Sequence, residues 1–277
     1  MSLSNPEEGR RDDILIPPVD CAPLPVPYPP PSPLTASEST LLASMRTPRL
    51  PLPDPHCHGM SELPDTARLR ARVSAILQQR RGESRISSSN AMTDADADAG
   101  AEPVDENSAL FVHLAHGLAC TAGSALGSAP PPADACLAAY CTPNRVGLTA
   151  GARAWSKHCH RSDVPATGDA AADARSAGWW GRAKGPVAAI NAGALALFWR
   201  VVRGATWRNL HWLPHAVLVY EVRVPAGYGM RWAQDQASAA AAGGVGDDAP
   251  WVFRGFLEPP MEGGHEVGWR HPVCVAD

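Results

Sequence analysis

The chain has 277 residues with 24 basic and 28 acidic side chains, and its net charge of -4 argues against a general attraction to nucleic acid. The charge is uneven, because residues 1–144 carry 10 basic and 17 acidic groups whereas residues 145–277 carry 14 and 11. Of the 28 prolines, 15 precede residue 66, and all nine tryptophans follow residue 154. Composition therefore predicts a largely disordered front region and a folded rear region.

Several classes of protein are excluded by what the sequence lacks. No run of about 18 uninterrupted apolar residues is present, so we expect no membrane partner. The N-terminus has no apolar signal segment, and seven cysteines without a CxxC pair are typical of reduced thiols, so we expect an intracellular protein, cytoplasmic or nuclear. The phosphate-binding, dinucleotide and HExxH zinc motifs are also missing, and we expect no cofactor and no metal.

The front region, residues 1–106, is predicted to be disordered, Pro-rich and of low complexity. The proline-dense stretch 23–33 favours a polyproline II conformation, which an SH3 or WW domain could bind. Within this region, Leu69, Val73 and Leu77 fall at helical spacing among arginines. We therefore expect one helix over residues 66–81.

The rear region, residues 107–277, is predicted to form one domain with low-complexity insertions at 163–177 and 233–250. Its apolar spacing predicts helices at 110–118, 134–140, 150–160 and 186–204. Thr149 is a suitable N-cap for the third of these, and Pro186 suits the first turn of the fourth.

Strands follow the helices. Alternating side chains predict a strand over 216–224, and two shorter strands are expected at 228–232 and 251–257. Helices followed by at least three strands indicate the α+β class, with a small, strongly curved sheet or barrel and helices to one side.

Two kinds of chemistry are suggested by the polar residues of the rear region. Glu221 beside arginines could act as a general base, although it shares a strand face with Arg223, as expected for an ion pair that orders the sheet. Arginines and aromatic residues also alternate around Arg231 and Arg254. That pattern is typical of proteins that stack unpaired bases and hold their phosphates.

Three stretches carry a resemblance to a known family: 146–162, 207–224 and 227–271. In this order they resemble a plant and fungal family of RNA-binding ASCH-domain proteins, over about residues 145–272. The resemblance implies a PUA-like fold, a small curved β-barrel with flanking helices, and RNA as the ligand of a cleft beside it. The wider superfamily has a Gly-x-Lys pattern near this cleft, for which Gly151-Ala152-Arg153 is the nearest match.

The leading hypothesis is therefore RNA binding without an established activity. Arg153, Lys157 and Arg161 would contact phosphate, and Glu221 would orient Arg223 or a base edge. The remaining RNA-binding candidates are two cleft arginines and two stacking rings, Arg231, Arg254, Tyr228 and Trp232.

Two alternatives stay open at this point. One is an amidohydrolase or ribonuclease that acts on a modified nucleoside or on RNA, with Lys157 and Glu221 as the working pair. The substitution of Arg153 for the superfamily's lysine weakens the hydrolase hypothesis, because a guanidinium is a poor nucleophile or base. The other alternative is an interaction scaffold organised by the Pro-rich front region.

Overall fold

The computed structural model describes residues 34–46, 48–86, 104–158, 178–237 and 249–260. These residues form six helices followed by four strands, in agreement with the predicted α+β class. In chain order the elements are α1 (Ala36–Arg46), α2 (Thr66–Ile86), α3 (Ala109–Ala115), α4 (Ala133–Cys141), α5 (Ala150–His158), α6 (Val187–Gly204), β1 (Trp207–Leu213), β2 (Val217–Arg223), β3 (Gly229–Asp235) and β4 (Val252–Leu257).

The four strands form an antiparallel meander in which each strand pairs with the next along the chain. The sheet is open, because β1 and β4 are its two ends and do not pair with each other in the described part of the chain. The barrel that the ASCH resemblance implied is therefore not observed. A short segment lies along the outer side of β1, where Ala119 N donates to Arg208 O at 2.7 Å and Ala125 N donates to Leu210 O at 2.7 Å.

The main core lies between one face of this sheet and helices α4, α5 and α6. Alternate side chains of each strand point into it, as Tyr220 and Val222 do on β2. Phe198 of α6 meets the Trp232 ring of β3 at 6.3 Å and the Tyr140 ring of α4 at 5.1 Å. This aromatic layer fixes which face of the sheet the helices cover, and hence which side chains point away from them.

Helix α6 is apolar enough, by length and composition, to cross a membrane. Its residues Leu197, Phe198 and Val201 are buried in the core that it shares with the sheet. The core helix of a folded domain passes the same test of length and composition, so the hydropathy of α6 is weak evidence for a membrane span.

The front region contributes more structure than its composition predicts. Helix α2 extends over the helix predicted at 66–81 and packs against α3. Helix α1 was not predicted, yet Leu42 and Met45 lie in the main core against α4 and α6. The domain boundary at 107 stays a prediction, but residues on both sides of it share one core. The stretch 23–33, predicted to bind an SH3 or WW domain, and the insertion predicted at 163–177 lie outside the described residues.

The helices predicted from apolar spacing and capping residues in the rear region correspond to α3, α4, α5 and α6. Thr149 Oγ1 accepts a hydrogen bond from Ala152 N at 3.1 Å, which is the predicted N-cap of α5. The predicted strands correspond to β2, β3 and β4, and β3 continues to Asp235, into the region predicted as an insertion from 233. Strand β1 was not predicted.

A stability prediction follows from the packing of α5 on α4. A Cβ at Gly151 would overlap the ring of Tyr140, which is buried and whose hydroxyl donates to Ala194 O at 2.6 Å. Because the ring is fixed, Gly151→Ala should lower the free energy of unfolding by about 1–3 kcal/mol despite alanine's better helix propensity. Equilibrium urea denaturation measures this.

The matched control is Gly82→Ala in α2, where an added Cβ meets nothing within 4 Å. This variant should be more stable than the wild type by about 0.5–1 kcal/mol. Equal effects at the two glycines would contradict the packing described for α5.

Candidate functional site

The residues that the sequence singled out do not lie in one cleft. Glu221, Arg223 and Arg231 are on the sheet face that points away from the helices, because their neighbours in β2 and β3 face the core. Arg153 and Lys157 lie on α5, in the helical layer, where they line a groove with Arg254. The working pair Lys157 and Glu221 is therefore divided between the two faces, and Arg161 lies outside the described residues.

The two aromatic candidates are both engaged by the protein. Trp232 is fully buried, and its Nε1 donates to Cys136 O at 3.0 Å, so its ring is not available to stack on a base. This corrects the sequence prediction, which did not place Trp232 on the core side of β3. Tyr228 stacks on Trp179 with 4.8 Å between the ring centres, and Arg200 covers the same Trp179 ring at 3.9 Å. Burial raises the pKa of the Tyr228 hydroxyl.

Three polar side chains form a row across the face of the sheet that points away from the helices. Asn209 on β1 lies directly opposite Glu221 on β2, and Glu221 lies directly opposite Arg231 on β3. Directly opposed residues of an antiparallel pair have side chains on the same face, so the amide, the carboxylate and the guanidinium are neighbours. Arg231 is exposed, whereas Asn209 and Glu221 are largely buried.

Asn209 is held in place by the segment beside β1. Its Oδ1 accepts from Ser124 Oγ at 2.9 Å, and its Nδ2 donates to Thr121 Oγ1 at 3.2 Å. With both ends of the amide bound, the side chain cannot turn. The Asn209 amide therefore lies in a fixed position on one side of Glu221.

The carboxylate of Glu221 is fixed by Arg223. Arg223 Nε donates to Glu221 Oε1, and Arg223 Nη1 donates to Gly227 O at 2.6 Å and to Glu258 O at 2.9 Å. Arg223 is buried and its Nε and Nη1 are engaged by the protein, so it orients the carboxylate rather than reaching a phosphate. About a tenth of the Glu221 side chain is exposed (10%).

His211 joins this row from the neighbouring position on β1. It pairs with Val219, two residues before Glu221 on β2, so the imidazole is a diagonal neighbour of the carboxylate at roughly 7–8 Å between Cα atoms. Burial lowers the pKa of His211, and the charges of Arg231 and Arg223 lower it further, while Glu221 raises it. The four groups thus share one electrostatic environment, which we call the His211–Glu221 cluster: His211, Glu221, Arg223 and Arg231.

Sequence reasoning missed His211 because it did not predict β1. Residues 207–213 alternate weakly, because the face that carries Asn209 also carries the apolar Trp207, and the opposite face carries Arg208 beside Leu210. Only the register of β1 with β2 brings the imidazole to Glu221.

The groove on the helical side is a second arrangement of polar groups. It is lined by Arg153, Lys157 and Arg254, and it encloses about 280 Å³. At its end, Glu258 Oε1 accepts from Trp180 Nε1 at 2.9 Å and lies 3.4 Å from His158 Nδ1. Within the described ranges, no group of three or more His, Cys, Asp or Glu residues is suited to hold a metal ion in either place.

A comparison with protein families finds a similarity over part of the chain. Residues 140–239 match the family model of the CdiA C-terminal tRNase toxin domain. The match begins at the end of α4 and continues through α5, α6 and the strands β1 to β3. It covers less than half of the chain, and neither the curated proteins nor the solved structures give a match.

The CdiA tRNase match overturns the resemblance to ASCH-domain proteins. The matched family is one of nuclease toxins, and it covers the first two stretches quoted for the ASCH and PUA-like family and the beginning of the third. The prediction of a non-catalytic RNA-binding ASCH protein was therefore wrong, and the ribonuclease alternative is the better supported of the two. The matched region contains His211, Glu221 and Arg231, whereas Glu258 and Arg254 lie beyond it.

Proposed function

We propose that this protein is a ribonuclease that cleaves tRNA at the His211–Glu221 cluster. The observation that carries the proposal is the register of β1, β2 and β3, which brings an imidazole, a carboxylate and an exposed guanidinium together on one sheet face. The CdiA C-terminal tRNase toxin model matches the three strands that hold these groups, and supports RNA as the substrate.

The chemistry of RNA cleavage needs one group that takes a proton and one that gives a proton. Glu221 is suited to take the proton of a ribose 2′-OH, whose oxygen then attacks the adjacent phosphorus. His211, when protonated, is suited to give its proton to the departing 5′-oxygen. The products are a 2′,3′-cyclic phosphate and a 5′-hydroxyl. At the end of the step Glu221 has gained one proton and His211 has lost one.

The two arginines have different parts in this proposal. Arg231 is exposed beside Glu221, so its guanidinium can neutralise the charge that grows on the phosphate oxygens in the transition state. Arg223 holds the carboxylate in place and is a positioning residue. Asn209 restricts the other side of the carboxylate through its bonds to Ser124 and Thr121.

Incubating the purified full chain with end-labelled tRNA tests the proposal. We expect discrete fragments whose new 3′ ends carry a cyclic phosphate, because the 2′-oxygen is the attacking group. A tRNA with a 2′-deoxy or 2′-O-methyl ribose at the cleaved nucleotide is the matched control, and it should not be cut at that position. Intact tRNA after prolonged incubation, or cleavage of the 2′-blocked substrate, would contradict the proposed chemistry.

A further inference from the structure

The groove on the helical side has a basic rim and a small floor. Arg153 and Lys157 are one helical turn apart on α5, so they project from the same side of the helix. Arg254 on β4 supplies the third positive charge, and all three side chains are exposed. Between them the lining includes three residues with little or no side chain, Ala150, Ala154 and Gly255, together with Phe253 and His158.

The charge of this groove is not balanced nearby. Within the described residues, Arg153, Lys157 and Arg254 form no ion pair, and α5 contains no acidic residue. The carboxylate closest to the rim in sequence is Glu258, and its Oε1 is engaged by Trp180 and His158. Three exposed cations over a shallow floor are suited to a ligand with repeated negative charges and a narrow backbone, which describes a sugar–phosphate chain.

The groove and the His211–Glu221 cluster are joined at Glu258. Its main-chain oxygen accepts from Arg223, which belongs to the cluster, while its side-chain Oε1 lies 3.4 Å from Nδ1 of His158, which lines the groove. The two surfaces therefore meet along the end of β4, although they lie on different faces of the sheet. A ligand that contacts both must bend around this edge.

Resting on the proposed ribonuclease function, we infer that the Arg153–Lys157–Arg254 groove binds the phosphate backbone of a folded RNA at a distance from the strand that is cleaved. A short single strand on the sheet face does not extend around the edge of β4. A folded RNA with two helical arms presents a second stretch of backbone that can. The groove thereby gives the enzyme a preference for folded RNA over short single strands.

The test is the triple variant Arg153→Ala, Lys157→Ala, Arg254→Ala, assayed on tRNA and on a short single-stranded oligonucleotide that contains the cleaved linkage. For tRNA, we expect KM to rise by about tenfold or more, and the slope of log KM against log salt to fall by about 2–3. For the short oligonucleotide, kcat/KM should stay within about twofold of the wild type. Equal losses on the two substrates, or an unchanged KM for tRNA, would overturn the inference.

A charge-matched control removes the same number of arginines and lysines elsewhere. Arg68, Arg81 and Lys184 are exposed and lie outside the groove, so their replacement by alanine should leave KM for tRNA near the wild-type value. If this control raises KM as much as the groove variant does, the effect is one of total charge and the groove is not a site.

Direct binding separates this inference from the proposed function. Fluorescence anisotropy with labelled tRNA measures Kd for the wild type and for the triple variant under conditions in which cleavage is prevented by a 2′-blocked ribose. A tenfold weaker Kd in the triple variant, about 1.4 kcal/mol, supports the groove even if the wild type proves unable to cleave. Cleavage by the wild type with an unchanged Kd in the triple variant overturns the groove and leaves the ribonuclease proposal standing.

Discussion

Replacing Glu221 by Gln is expected to lower kcat for tRNA cleavage by about 10²–10⁴-fold, the usual contribution of a general base. The amide has the same shape as the carboxylate and can still accept the hydrogen bond from Arg223 Nε, but it cannot take the proton of the 2′-OH. Single-turnover cleavage of end-labelled tRNA measures the effect on the chemical step.

The variant must be shown to be folded, because Glu221 and Arg223 form a largely buried ion pair. Removing one partner of such a pair can cost about 3–5 kcal/mol, so thermal unfolding and the Kd for tRNA are measured beside the rate. Glu221→Asp keeps the charge on a shorter side chain and should retain more activity than the Gln variant. A folded Gln variant with near wild-type kcat would exclude Glu221 as the base.

Replacing His211 by Gln is expected to lower kcat/KM by about 10²–10⁴-fold and to change the pH profile. His211 must be protonated to act as the acid, and burial together with Arg231 and Arg223 lowers its pKa below the ordinary value of 6.5. The proton is present below the pKa and absent above it. Wild-type activity should therefore begin to fall on the acidic side of neutrality as the pH rises.

In the Gln variant, this fall of activity with rising pH should disappear, since no imidazole titrates. The matched control is His215→Gln, an exposed histidine in the turn between β1 and β2, which should leave both the rate and the profile unchanged. An unaltered pH profile in the His211 variant would show that another group is the acid.

The residue assignments changed most where side chains face the core or the protein itself. The ring of Trp232 and the guanidinium of Arg223 have the chemistry of RNA-binding groups, and sequence reasoning treated them so. Trp232 is instead packed against Phe198 and Phe253, and Arg223 donates to main-chain oxygens and to Glu221. Residue type indicates what a side chain can bind, but it does not indicate whether other groups of the protein already occupy that side chain.

The sequence by itself determined the α+β class, the helices that have caps and apolar spacing, and the strands β2 to β4, because these depend on contacts between residues close in the chain. It did not determine α1, whose Leu42 and Met45 are stabilised by residues far along the chain.

The sequence also did not determine the candidate site. His211 meets Glu221 only through the pairing of β1 with β2, and Lys157 is separated from Glu221 only because α5 packs on the opposite face of the sheet. Such register and layering are set by long-range packing, which local patterns do not encode.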